Sequence, residues 1–200
     1  MRYSYRFLKK WVKKILVDFH HDPLRYQHLL NVQELGVKLA RKYGASIYKV
    51  KTACLLHDIT KDESLEFHKY YTDPLDFAQY QHSIGILHSF SGANFIKSKF
   101  KIKDQTILYA IKAHTIGSTD HNLTSMILYV SDIGEKSRSY SDALQIRNTA
   151  LNVGLNEAVL MAINLKTNYL IKNGKTPTKN SLDSLEYFKN IVNNDPNNII

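Results

Sequence analysis

Apolar positions in this chain recur three and four residues apart in one segment after another, the period of helices that bury one face. From Leu24 to Tyr43, His28, Val32, Leu35 and Leu39 follow at intervals of four, three and four, and Gly44 supplies a stop. His28 therefore shares the face of a helix that looks inward. Ser46 is a capping candidate for a second helix, which turns Ile47, Val50, Ala53 and Cys54 inward and ends on His57 and Asp58. Residues 60–81 turn polar and aromatic and break at Asp73-Pro74, so a loop with one short helix, able to act as a lid, is expected there.

Helices are predicted to resume from Ile86 to Lys97, from the N-cap Asp104 to His114, and from Leu123 to Lys136. A further one from Asn156 to Asn173 buries Val159, Leu160, Ile163 and Leu170 and closes on Gly174. Thr176-Pro177 opens a last helix centred on Leu182, Leu185 and Phe188. At the other end, Met1–Val17 reads as a helix with Phe7, Trp11 and Ile15 on one face. No alternating strand pattern, internal repeat or linker interrupts this, which makes the expected fold class all-α.

Composition changes the picture in four places. The 200 residues fit one domain with a substantial core. The single cysteine, Cys54, lies in the apolar run Ala53-Cys54-Leu55-Leu56, which rules out an intramolecular disulfide or a thiolate cage and points to a reducing cytoplasm. The first 17 residues lack the apolar core of a signal peptide, and no apolar stretch approaches the roughly 20 residues of a membrane span, so no secretion or integral membrane association is expected. A net charge of +9, from 27 basic and 18 acidic residues, suits a polyanionic partner such as a nucleotide, nucleic acid or anionic membrane. The same excess equally reflects a chain rich in Lys, Asn, Ile and Tyr, so nucleic acid is not favoured.

The chemistry is concentrated in six residues. His28, the doublet His57-Asp58, His88, His114 and Asp132 are imidazoles and carboxylates spread over several helices, and most fall on faces that otherwise read as core. A buried charge or imidazole is costly unless it is paired or coordinates a metal. A lone buried histidine is more often satisfied by its neighbours, but a set delivered by facing helices suits one or two divalent ions, with Asp58 able to bridge a pair at about 3.5–4 Å. The Gly-x-x-x-x-Gly-Lys-Ser/Thr loop, the Gly-x-Ser-x-Gly elbow and the dinucleotide-binding glycine fingerprint are absent, which leaves kinase, serine-hydrolase and dehydrogenase readings without support.

Five stretches carry a resemblance: Arg25-Tyr-Gln-His28-Leu-Leu-Asn-Val32, Leu56-His57-Asp58-Ile-Thr-Lys61, Leu87-His88-Ser-Phe-Ser-Gly92-Ala93, Ala110-Ile-Lys-Ala-His114-Thr115-Ile-Gly117 and Tyr129-Val-Ser-Asp132-Ile-Gly-Glu135-Lys-Ser-Arg138. In this order, over about residues 24–178, they resemble the YqeK family of HD-domain symmetrical diadenosine tetraphosphate hydrolases. The resemblance implies an HD-domain helical bundle with its metal site among the central helices. It also implies iron as the first choice of ion, with Mn, Co, Zn or Mg as alternatives, and cleavage of diadenosine tetraphosphate into two ADP by a metal-bound water or hydroxide. His28, His57, Asp58 and Asp132 would hold one ion, and Asp58, His88 and His114 would surround a second; His88 is open to approaching the substrate instead.

Asp58 and Lys61 are then the expected catalytic residues, and Lys61, Thr115 and Arg138 the expected phosphate contacts. Thr115 is equally placed to cap the turn after His114. Glu135 reads as a residue behind the ligands or on the surface, and His20, His21, His68, His82 and His121 as surface histidines. Val130-Ser131 before Asp132 and Ile133-Gly134-Glu135 after it depart from the family pattern of Ala before and Glu-Pro after.

The expected organisation is a basic-aromatic helix in 1–23, an HD phosphohydrolase core in 24–140, further helices of the same domain in 141–192 and a frayed tail in 193–200. Two other readings stay open. One is an HD phosphohydrolase of another nucleotide, such as a nucleoside monophosphate, a deoxynucleoside triphosphate or a guanosine alarmone. The other is a basic RNA-binding or regulatory module without turnover.

Overall fold

The computed structural model describes residues 4–194, and among them eleven α-helices, one π-helical segment and no strand. The first helix, α1 (Tyr5–Lys13), is capped by Ser4 and runs straight into the π segment Lys14–Phe19. Its inner face is Leu8, Val12 and Leu16, one position on from the predicted Phe7, Trp11 and Ile15; Phe7 is 42% exposed. The aliphatic stripe fills the core, and the wide indole of Trp11 lies along its edge, edge-on to Phe100 at 4.6 Å.

α2 (Pro23–Tyr43) starts as its sequence dictates: Asp22 accepts from the Arg25 amide at 2.8 Å and Pro23 occupies the first turn. Gly44 ends it at φ 70°. α3 (Ile47–Leu56) follows the Ser46 cap and buries Val50, Ala53 and Cys54. Ile47 is exposed instead: it shares the face of Cys54 but stands about two turns nearer the helix end, beyond the edge of the core. α2 and α3 meet closely because Gly36 has no side chain; a Cβ there would lie 2.8 Å from Cys54 Sγ and 3.1 Å from Val50 Cγ1.

Residues 60–81 hold two short helices rather than one, α4 (Leu65–Tyr71) and α5 (Pro74–Tyr80). The proline that ends the first serves as the first residue of the second. α6 (Ile84–Phe100), α7 (Gln105–Ile116) and α8 (Leu123–Gly134) lie near their predicted limits. α9 (Ser141–Asn152), α10 (Leu155–Lys172) and α11 (Lys179–Asn193) complete the chain.

In α10, Val159 and Ile163 are buried as expected, while Leu160 and Leu170 are half-buried. In α11 only Phe188 of the three predicted apolar residues is fully buried, and Leu182 is 46% exposed. Its inner face is completed by Ser181 and Ser184, whose hydroxyls donate to the carbonyls of Ile116 (3.0 Å) and Ser118 (3.1 Å). The end of α7 has carbonyls that need donors, and small polar residues meet that need better than leucine. The predicted frayed tail lies, from residue 195 on, outside the described residues.

α8 is the axis of the fold, packing on α2, α3, α7, α9 and α10. Every residue from Thr124 to Gly134 is buried, the mark of a helix enclosed on all sides. Among the described residues no helix is long and apolar enough to cross a membrane.

Candidate metal centre

Five helices, α2, α3, α6, α7 and α8, with the turn after α3, bring polar side chains to the same buried spot. His28 comes from the second turn of α2, His57 caps the C-terminus of α3, and Asp58 follows it in the turn. His88 lies in α6, His114 in the last turn of α7 and Asp132 in α8. All six residues expected to hold metal are thus brought together.

His28 Nε2 lies 3.2 Å and His57 Nε2 3.6 Å from Asp132 Oδ1. Asp58 Oδ1 sits 2.9 Å from His88 Nε2, 3.4 Å from His114 Nε2 and 3.8 Å from His57 Nε2. Two triads have ligand atoms mutually within 4.8 Å, His28 with His57 and Asp132, and His57 with Asp58 and His114. His57 joins them. His88 stands outside both triads but touches the second, 3.0 Å from His114 Nε2.

The hydrogen bonds behind the rings fix which atoms point inward. His57 Nδ1 lies 2.9 Å from the Cys54 carbonyl and His114 Nδ1 2.6 Å from that of Ile111. A carbonyl only accepts, so both Nδ1 atoms carry a proton and both rings turn Nε2 toward carboxylate oxygens. Burial first, then the neighbouring His57 and His88, depress the His114 pKa to about 4 against the pull of Asp58, so its ring is neutral at pH 7.

Burial works to raise the Asp58 carboxyl, but the surrounding imidazoles of His57, His114 and His88 outweigh it and hold it well below the carboxylate range. Asp132 is held down likewise, by His28, His57 and Lys166 against burial. The pocket therefore gathers ionised carboxylates and inward-facing imidazole nitrogens. His28 Nε2, His57 Nε2 and Asp58 Oδ1 are buried without a hydrogen-bond partner. Such a set fits a divalent cation of borderline hardness and satisfies few other occupants.

Residues 25–144 match the HD domain. The chain is 30% identical to the symmetrical bis(5'-nucleosyl)-tetraphosphatase of Staphylococcus aureus, over 82% of its own length and 86% of that protein. It belongs to the HD-domain family, on its YqeK branch. A second relative of the same name, from Halalkalibacterium halodurans, is 29% identical over 78% of this HD chain and 84% of its own. Among solved structures, a predicted HD superfamily hydrolase involved in NAD metabolism from Clostridium acetobutylicum superposes with a TM-score of 0.84 at 25% identity, covering 96% of this chain and 100% of that one.

Around the HD donor set lies a layer of cations. Lys61 Nζ is 2.6 Å from Asp58 Oδ2, and Arg138 Nη2 is 3.5 Å from Asp132 Oδ1. Both stay partly exposed at the mouth of the site, at 41% and 36% of their side chains. Thr115 faces inward differently. Ser89 spends its only hydroxyl proton on the Ile86 carbonyl (2.8 Å), so the 2.9 Å contact between Ser89 and Thr115 is donated by Thr115. Its hydroxyl ties α6 to α7 and must turn away before it can donate to a phosphate.

Further residues surround the HD site, and of Arg25, Glu135 and Arg147 only Glu135 was given a reading from sequence, behind the ligands or on the surface. Arg25 reaches Asp22, Asp58 and Asp62, pinning the start of α2 to the turn that carries the doublet. Glu135, almost fully buried, faces His28 Nδ1 at 3.3 Å and takes the Ser137 amide and hydroxyl. It stands three residues after Asp132, a spacing that puts both on one side of the chain. Arg147 of α9 donates to the carbonyls of Gly134, Glu135 and Arg138 and so closes the end of α8. His68 and His121 are not surface residues: His68 is fully buried and bonds Ser91 Oγ, and His121 is packed against Tyr129 and Phe188. Both belong to short polar segments whose burial only the packing reveals.

Proposed function

We propose that this chain is a metal-dependent hydrolase that cleaves diadenosine tetraphosphate symmetrically into two molecules of ADP. The observation that carries the reading is the buried convergence of His28, His57, Asp58, His114 and Asp132, in a chain similar along most of its length to symmetrical bis(5'-nucleosyl)-tetraphosphatases. The nucleotide substrate and the two ADP products are its partners in this reading.

The mixed nitrogen and oxygen donors, with no thiolate, suit iron, Mn, Co or Zn alike, and the family resemblance makes iron the first choice, with Mn, Co, Zn or Mg as alternatives. His28, His57, Asp58 and Asp132 would hold one ion, and Asp58, His88 and His114 a second. Bound there, the metal supplies Lewis acidity toward phosphoryl oxygens and lowers the pKa of water. The protein's own part is positioning and charge. Lys61 and Arg138, at the mouth, bind phosphate oxygens of the bridge, Arg138 by its planar fork and Lys61 as a point charge that leaves Asp58 for the substrate.

Residues 24–140 form the catalytic core of this reading, flanked by helices from 1–23 and 141–192. The buried free thiol of Cys54 and the nucleotide substrate suit the cytoplasm.

The test is chromatography of the products after metal-loaded, anaerobically handled protein meets diadenosine tetraphosphate. ADP as sole product is expected. ATP with AMP overturns the symmetrical assignment, and no turnover by folded, metal-loaded protein overturns the substrate. Asp58→Ala is expected to lower turnover on the order of 10³-fold or more, several kcal/mol of metal-derived stabilisation.

A further inference from the structure

Lys166 lies in α10, outside residues 25–144, which match the HD domain. Lysines normally send the ammonium to water along an apolar stem. This one turns inward. Its Nζ donates to the His114 carbonyl at 2.8 Å, lies 3.8 Å from Asp132 Oδ2 and sits 4.2 Å from the centre of the Tyr129 ring. An ammonium has three donors, and this one, on a side chain 29% exposed, gives one to the His114 carbonyl and has a carboxylate and a ring beside it.

The arrangement at Asp132 parallels that at Asp58. Each carboxylate offers Oδ1 to imidazole nitrogens and Oδ2 to a lysine, Asp58 to Lys61 and Asp132 to Lys166. At His114, Lys166 takes a carbonyl in the last turn of α7, where carbonyls lack helical partners. One side chain thus braces a carboxylate and an imidazole that arrive on different helices.

We propose that Lys166 is a positioning residue of the metal centre, its ammonium holding the Asp132 carboxylate and the backbone of His114 so that Asp132 Oδ1 and His114 Nε2 each face their own metal position. The inference rests on the metal reading of these two residues. It makes the C-terminal helices part of the site: without α10, two of the ligands lose their common support. Groups behind ligands that orient them commonly contribute 10–100-fold to metal affinity.

The experiment compares wild type with Lys166→Met, which keeps the apolar stem and removes the donors and the charge. Mn²⁺ affinity is measured by titration, the visible ligand-field spectrum is recorded on Co²⁺-loaded protein, and folding is followed by circular dichroism. A fall in Mn²⁺ affinity of about 10–100-fold with an altered Co²⁺ spectrum and an unchanged helical signal is the expected result. Affinity within about threefold of wild type with the same spectrum overturns the proposal, as does a rise, which would mean that the ammonium only opposes the ion's charge.

If Lys166→Met does not fold, Lys166→Gln keeps an amide donor without the charge, and the same fall or constancy decides. A wild type that binds neither ion overturns the metal reading together with this one. Neither readout involves substrate, so failure here is distinct from failure to cleave diadenosine tetraphosphate.

Discussion

Asp58 shows how much a single carboxylate organises at the residue scale. Oδ1 meets three imidazole nitrogens within 3.8 Å, while Oδ2 takes Lys61 at 2.6 Å and Arg25 at 3.8 Å. The imidazoles are held in turn by groups behind them, and Glu135 is the one behind His28. Glu135→Gln keeps the shape but weakens the hold on His28 Nδ1, so titration of Mn²⁺ should show affinity lowered about 10–100-fold with the fold intact.

His121 offers a residue-scale test away from the ligands. Burial, then the charge of Lys166, depress its pKa from 6.5 to about 4. Between those values the unfolded chain takes up a proton that the folded state refuses. The contribution of His121 to stability is therefore full above pH 6.5, falls as pH drops through this window, and is lost below about 4. In His121→Phe, urea midpoints measured from pH 7 to pH 4 should decline less steeply than in wild type; parallel curves would remove His121 as a source of acid sensitivity.

Helices here begin and end where local chemistry says they should, and two ends bear directly on the site. Asp104 caps α7 by accepting from the amides of Thr106 and Ile107, and Lys49 pairs with its other oxygen at 3.0 Å. Asp104→Ala is expected to cost about 1 kcal/mol, a fall in Tm of roughly 2–4 °C. At the other end Gly117 leaves α7 at φ 74°, and a Cβ there would lie 3.0 Å from Ser184 Oγ. Gly117→Ala combines backbone strain with a collision against α11, three residues after His114. Its Tm should fall more than that of Asp104→Ala, and its metal affinity should fall with it. The cap was legible because its partners are local. The tie between α7 and α11 was not, because Ser181 and Ser184 read as solvent-facing until the carbonyls they serve are known.

For the whole molecule, the site is a property of how α2, α3, α6, α7 and α8 converge, and ion binding and folding are therefore linked. A cation that binds only the folded state adds about 2.7 kcal/mol at a concentration 100 times its Kd. Thermal melts should show Tm rising with Mn²⁺ and falling back with chelator, and the rise should vanish in Asp58→Ala. Phe188, 1% exposed, anchors α11 against the core, and Phe188→Ala should cost about 3–5 kcal/mol while leaving the metal ligands in place.

The sequence by itself determined the all-helical class, most helix limits and the six His and Asp residues that the fold gathers at one spot, because periodicity, caps and residue chemistry act over a few positions along the chain. It misjudged the inner faces of α1 and α11 by choosing the aromatic or bulkier residues, where an aliphatic stripe and two serines fit the neighbours. Only the tertiary structure decided which oxygen of each aspartate faces the imidazoles, that Thr115 spends its hydroxyl proton on Ser89, and that Lys166 reaches the His114 carbonyl from beyond the HD segment. Those are relations between atoms far apart in sequence, fixed by how helices pack, and no spacing along the chain encodes them.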